Sequence, residues 1–174
     1  MSITRLNHAV LYVRDVKRSV DFYTRVLGFR VVSDMASLPG AAFLQASGSS
    51  NDHDLGLFEV GAAAGPSLAG KQTVGLYHLA WEVDSLAELQ RMETALAEAG
   101  ALVGASDHAT TKALYGADPD GIEFEVSWLV PADLITDETR SGRTRIRPLD
   151  IAAEIDRYGA DTRGGVGVSH PALT

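Results

Sequence analysis

The chain has 174 residues, 45% of them hydrophobic, with 15 basic against 23 acidic side chains and a formal charge of −8. That length supports one compact domain or two small halves sharing a core, and the negative balance disfavours nucleic acid and membrane surfaces as partners. With no cysteine, disulfides, thiolate nucleophiles and cysteine-held zinc are excluded, so any metal must be held by His, Asp or Glu.

In chain order, LNHAVLYV at 6–13 has a strand pattern, followed by Asp15 and a helical segment ending at Gly28, in which Val16, Val20, Tyr23 and Leu27 recur at helical spacing. Short strands are predicted at 29–33, 42–46 and 54–60. The Gly/Ala/Pro-rich VGAAAGPSLAGK then reads as a linker or flexible loop. LYHLAWEV at 76–83 is again a strand, and Ser85-Leu86-Ala87-Glu88 is a capping box opening a helix that carries Leu86, Leu89, Met92 and Leu96 to Gly100. Strands follow at 101–105, 112–117 and 122–128. Each half therefore reads βαβββ. His8 and His78 are 70 residues apart at matching places, and FEV recurs at 58–60 and 124–126. The expected class is α+β, two βαβββ repeats at about 4–62 and 74–130 forming a cup-shaped mixed sheet with helices outside.

Residues 131–174 form an extension beyond the repeats. Arg140, Arg143, Arg145 and Arg147 cluster in it, and PLDIAAEIDRYG suits a short amphipathic helix. An arm over a partner subunit or the site mouth, or a partly disordered tail, both fit this composition. No run of 18 apolar residues and no charged-then-apolar leader occurs, so the expected location is the cytoplasm.

The stretch LYGADPDGIEFEVSW, 114–128, carries the densest chemistry. Asp118-Pro119-Asp120-Gly121 has turn composition, and a hairpin centred there puts Tyr115 opposite Glu125. Alternation sends Ile122, Phe124 and Val126 to one face and Glu123 and Glu125 to the other. If His8 and His78 face the concave side of a sheet built from both halves, Glu125 can join them. Two imidazoles and a carboxylate with open positions form the facial triad that suits non-haem Fe(II).

The segments LNHAVLYVRDVKRSVDFYTRVLGF, YHLAWEV and ADPDGIEFEV resemble the vicinal oxygen chelate superfamily over about residues 4–130. Within it, His108-x5-Leu114-Tyr115-x2-Asp118-Pro119-x-Gly121-x3-Glu125 resembles the signature of type I extradiol ring-cleaving dioxygenases, with Ser106 a departure two residues before its histidine. SNDHDLGLF resembles the strand bearing that family's catalytic histidine. The resemblance implies Fe(II), or Mn(II), held by His8, His78 and Glu125. It also implies His53 as acid/base beside bound oxygen, and His108 and Tyr115 as hydrogen-bond partners of the substrate. It leaves Glu123 and His170 without a role. The implied function is O₂-dependent cleavage of a small aromatic diol in aromatic catabolism, by a homo-oligomer. Two other readings use the same cup. One is a glyoxalase-like isomerase or lyase with Glu59 as fourth ligand to Zn or Ni. The other is a non-catalytic protein binding an aromatic compound or antibiotic.

Overall fold

A computed structural model describes residues 2–33, 38–69 and 72–165; His170 and the linker's Gly70 and Lys71 lie outside them. The fold is α+β with two four-stranded mixed sheets, one for each repeat. Strands β1 (Ala9–Val13), β2 (Arg30–Val31), β3 (Ala41–Gln45) and β4 (Leu55–Glu59) form the first sheet in the order β1-β4-β3-β2, with helix α1 (Val16–Arg25) between β1 and β2. Strands β5 (Leu79–Glu82), β6 (Leu102–Asp107), β7 (Thr111–Ala117) and β8 (Glu123–Leu129) repeat the plan as β5-β8-β7-β6, with helix α2 (Leu86–Glu98) after β5. In each sheet the first and last strands pair in parallel and the others are antiparallel.

The local signals act as expected. The Asp15 carboxylate accepts a hydrogen bond from the Arg18 amide at 3.0 Å, and the Ser85 hydroxyl accepts one from the Glu88 amide at 3.2 Å, each satisfying a free N–H of a first turn. Removing either cap costs about 1 kcal/mol. Gly28 and Gly100, past the helix ends, have φ of 75° and 64°, a conformation that disfavours any Cβ.

The strands bearing the histidines are shorter than the alternation predicted. β1 starts at Ala9, where pairing with Leu55 starts, and β5 starts at Leu79 opposite Phe124. A strand persists only where a neighbour supplies the ladder, so His8 and His78 stand one residue before their strands. His53, expected on a strand, lies two residues before β4.

The chain divides into two compact units: unit 1 is 1–67 with 118–121, and unit 2 is 68–117 with 122–174. In unit 1, Leu11, Val13, Tyr23, Leu44, Leu55 and Leu57 are buried between α1 and the sheet, while Val10 and Tyr12 alternate to the open face. The turn 118–121 is bonded into this unit. Asp120 accepts hydrogen bonds from the Arg14 amide at 2.8 Å and guanidinium at 2.9 Å, and Asp118 accepts one from the Tyr23 hydroxyl at 3.2 Å.

In unit 2, Leu86, Leu89, Met92 and Leu96 of α2 pack against Leu114, Phe124 and Val126. Each such fully buried side chain contributes about 1.5–3 kcal/mol. The extension contains a 3-10 turn (Ala132–Leu134) and helices α3 (Asp137–Gly142) and α4 (Ile151–Tyr158), the latter the predicted amphipathic helix. As far as residue 165 it is bonded into unit 2 itself. The Ala87 amide donates to the Ala160 carbonyl at 2.9 Å, the Trp128 indole to Thr162 at 3.1 Å and the Gly164 amide to Asp84 at 2.9 Å. Lys112, wholly buried, bridges Asp107 at 2.5 Å and Glu154 of α4 at 2.9 Å. Among the described residues no helix is long and apolar enough to cross a membrane.

Candidate functional site

Unit 2 assembles four of the expected residues on one sheet face. The Pro119 turn sets the hairpin register so that Tyr115 lies opposite Glu125, as its composition implied, and Ala80 is Glu125's neighbour on the other side. His78, two residues before Ala80, shares that face, and its Nε2 is 3.3 Å from Glu125 Oε2. His78 Nδ1 is buried with no hydrogen-bond partner among the described residues. The His78 and Tyr115 rings are 5.9 Å apart. His108, in the turn between β6 and β7, has Nε2 at 2.9 Å from the Tyr115 hydroxyl.

Burial pushes the Tyr115 phenol above its ordinary value; the Glu125 charge, the Tyr77 charge and a hydrogen bond to Glu125 add to this. It is therefore a neutral phenol at physiological pH, able to donate one hydrogen bond and accept another. Tyr77, which the sequence reading passed over, faces the same group with its ring 4.6 Å from His78. The adjacency YH was the available signal.

Unit 1 holds the other two histidines side by side. The His8 and His53 rings are 4.5 Å apart, and Phe43 meets His53 edge-on at 5.0 Å. Both imidazoles are held by the preceding residue: His8 Nδ1 by Asn7 Oδ1 at 2.7 Å and His53 Nδ1 by Asp52 Oδ2 at 2.9 Å. Amide and carboxylate oxygens only accept, so Nδ1 carries a proton in both rings. The dipeptides NH and DH, unremarked in the sequence, encode this tautomer choice.

The sheet registers correct the FEV repeat. His8 matches His78, so Val10 matches Ala80; Val10 pairs with Gly56, whereas Ala80 pairs with Glu125. Gly56, not Glu59, thus occupies the position of Glu125, and Phe43 opposite Gly56 occupies that of Tyr115. Glu59 lies beside Val13, five residues along from His8 and so about 16 Å away. Its carboxylate accepts the Val16 amide at 3.1 Å, at the start of α1.

Donor atoms bound to one ion at about 2.0–2.2 Å and at right angles stand about 3 Å apart, close to the His78–Glu125 spacing, so this pair fits two of the positions around a divalent ion. Among the described residues no group of three or more His, Asp or Glu side chains is gathered as a metal site.

A family model described as the Glyoxalase/Bleomycin resistance protein/Dioxygenase superfamily matches residues 5–126. The catechol-2,3-dioxygenase of Bacillus subtilis (strain 168) is 34% identical over 123 residues, 71% of this chain and 41% of that protein, so the chain spans less than half of that relative. A lactoylglutathione lyase of Pseudomonas putida is 62% identical over 26 residues, 15% of each chain. Among solved structures, a glyoxylase/bleomycin resistance protein/dioxygenase domain from Frankia sp. EAN1pec superposes with TM-score 0.62 at 25% identity, covering 75% of this chain and 96% of that one. The fosfomycin resistance protein FosX of Mesorhizobium loti shares the fold alone, with TM-score 0.53 at 20% identity over 80% of this chain and 99% of that one. Because the family model runs through both repeats, from before His8 to beyond Glu125, the chain belongs to the glyoxalase/bleomycin resistance protein/dioxygenase superfamily.

Proposed function

We propose that this protein is an extradiol dioxygenase, cleaving a catechol-type ring with O₂ beside its hydroxyls, with Fe(II) or Mn(II) held by His8, His78 and Glu125. The observation that carries the reading is the His78–Glu125 pair with the neutral Tyr115 phenol and His108 on the same face. The likeness to the Bacillus subtilis catechol-2,3-dioxygenase supports it. Once bound, the ion would supply a common point of attachment for the diol oxygens and O₂ and the electron density that O₂ needs.

The remaining steps belong to the side chains. His78 Nε2 and Glu125 Oε2 are the two donors of unit 2 that would hold the ion. Tyr115, kept protonated, donates a hydrogen bond to a substrate oxygen and stabilises charge developing there; His108, bonded to the same hydroxyl, orients it. His53, with its Nδ1 proton on Asp52, has Nε2 free to take up or return a proton.

The isomerase reading requires a fourth ligand, and the Glu59 carboxylate is committed to the start of α1. Cytoplasmic location and self-association belong to the same proposal, and fractionation and sedimentation test them. The deciding experiment is metal analysis of anaerobically purified protein, then O₂ uptake with a panel of catechols. Iron-dependent O₂ consumption with a yellow ring-cleaved product is expected. Stoichiometric Zn without O₂ uptake favours the isomerase, and catechol binding unaffected by metal removal favours a binding protein.

A further inference from the structure

Away from the residues above, unit 2 contains a cavity of about 40 Å³ whose lining includes Asp107, Ala109, Glu138, Arg145, Arg147 and Arg157. In a chain of formal charge −8, three guanidinium groups around one small cavity stand out. Among the described residues none of the three is in an ion pair. Of the two lining carboxylates, Asp107 is already engaged, by Lys112 at 2.5 Å and by the Ala109 amide at 2.7 Å. Positive charge is therefore in excess there.

The arginines stand on fixed backbone. Arg147 exchanges both main-chain hydrogen bonds with Asp107, at 2.8 and 3.0 Å, and the Arg145 amide donates to Gly142 at 2.9 Å. Arg157 lies over the Tyr158 ring, 4.9 Å from its centroid. The three side chains are themselves exposed, so they can turn toward a ligand from this backbone. A cation is repelled by this lining and an apolar group gains nothing from it. The volume is room for about three waters.

We propose that this cavity is an oxyanion-binding site for a phosphate or carboxylate group, held in the forks of Arg145, Arg147 and Arg157. The site adjoins the turn that carries His108, because Asp107 and Ala109 flank that residue. Ala109, with φ of 65°, is the one non-glycine among the described residues in the left-handed region, held there by its bond to Asp107. An anion in the cavity therefore stabilises this turn. The proposal does not depend on the metal or on the reaction.

The test titrates the full chain with inorganic phosphate and, separately, with malonate, against sodium chloride at matched ionic strength. It follows the thermal midpoint and the amide resonance of Ala109. Saturable shifts with either probe but not with chloride are expected. Saturation by phosphate alone assigns a phosphoryl ligand, and by malonate alone a carboxylate. In R145Q/R147Q the apparent affinity should fall at least tenfold, while R30Q, on β2, keeps the wild-type response. If the double variant does not fold, R157Q is read in the same way. Shifts equal to those in chloride, or unchanged in these variants, overturn the proposal.

Discussion

The two repeats lay the same lattice under different chemistry. In repeat 2 the histidine before the first strand has Glu125 beside it and Tyr115 one strand further on; in repeat 1 the same lattice points hold Gly56 and Phe43. Repeat 1 keeps a carboxylate three residues later, and there Glu59 serves the start of α1. Fold and function therefore separate at the level of single register positions. The ladder determines where a side chain points, and the residue at that point decides whether the sheet face binds an ion or presents apolar surface.

The largest effect should follow from exchanging the two carboxylates' fates. Glu125→Gln removes the carboxylate paired with His78, so bound metal should fall below a tenth of an equivalent and O₂ uptake to background. Glu59→Gln should keep both. It should lower stability by only about 0.3–1 kcal/mol through the lost interaction with the helix N-terminus, measured by urea unfolding. Metal lost in Glu59→Gln and retained in Glu125→Gln would reverse the comparison and restore the isomerase reading.

Next in size is His53, which has no histidine counterpart in repeat 2. His53→Ala should retain metal and catechol affinity but lose about 10²–10⁴-fold in kcat, the usual contribution of a general acid or base. Single-turnover rates with the metal content held equal read this directly. A wild-type rate would make His53 merely a packing partner of Phe43 and His8.

These contrasts also show what the sequence could reveal. The βαβββ plan, the Ser85 cap and the Tyr115–Glu125 pairing were legible because each is local: a hydroxyl three residues before Glu, a Pro-Asp-Gly turn that counts the register. The FEV repeat misled because identical tripeptides say nothing about which residue a parallel strand places beside them; that depends on where pairing starts, at Ala9–Leu55 and Leu79–Phe124. The fate of the extension was hidden for a related reason. Lys112 reads as a polar position in a strand until Glu154, 42 residues away, is folded against it.

That lysine gives the third test. The register position of Lys112 in repeat 1 is Gly40, so the Asp107–Lys112–Glu154 bridge belongs to repeat 2 alone. Lys112→Met should cost about 3 kcal/mol, because it removes the cation that bridges two largely buried carboxylates. Burial raises the Asp107 pKa, but bonds from Lys112 and the Ala109 amide and the charges of Lys112 and Arg147 outweigh this and leave it below its ordinary 3.8. A carboxyl with a depressed folded pKa stabilises above its ordinary value, and that stabilisation is lost as pH falls past it. The deficit of Lys112→Met should therefore be full at neutral pH and shrink below about pH 4. Adding Asp107→Asn and Glu154→Gln should recover most of it. A variant as stable as wild type at pH 7 would show that the bridge does not hold the extension.

The smallest effect concerns the corresponding clamp of unit 1, where Tyr23 donates to Asp118. Burial raises the Tyr23 phenol well above 10.0, and the Asp118 charge, the hydrogen bond to it and the Asp120 charge raise it further. The unfolded chain thus releases this proton first as pH rises. The stabilisation is complete below pH 10 and is lost above it, toward the folded pKa. Tyr23→Phe should cost about 1 kcal/mol at pH 7, the net worth of one buried hydrogen bond, and should be immune to this loss. The other tyrosines contribute equally to both proteins, so the difference between their urea midpoints isolates Tyr23. That difference should narrow above pH 10, change sign at about pH 10.7 and be reversed by pH 11.5. A constant difference across that range would mean that Tyr23 ionises alike in both states. The turn 118–121 would then hold unit 1 through Arg14 and Asp120 alone.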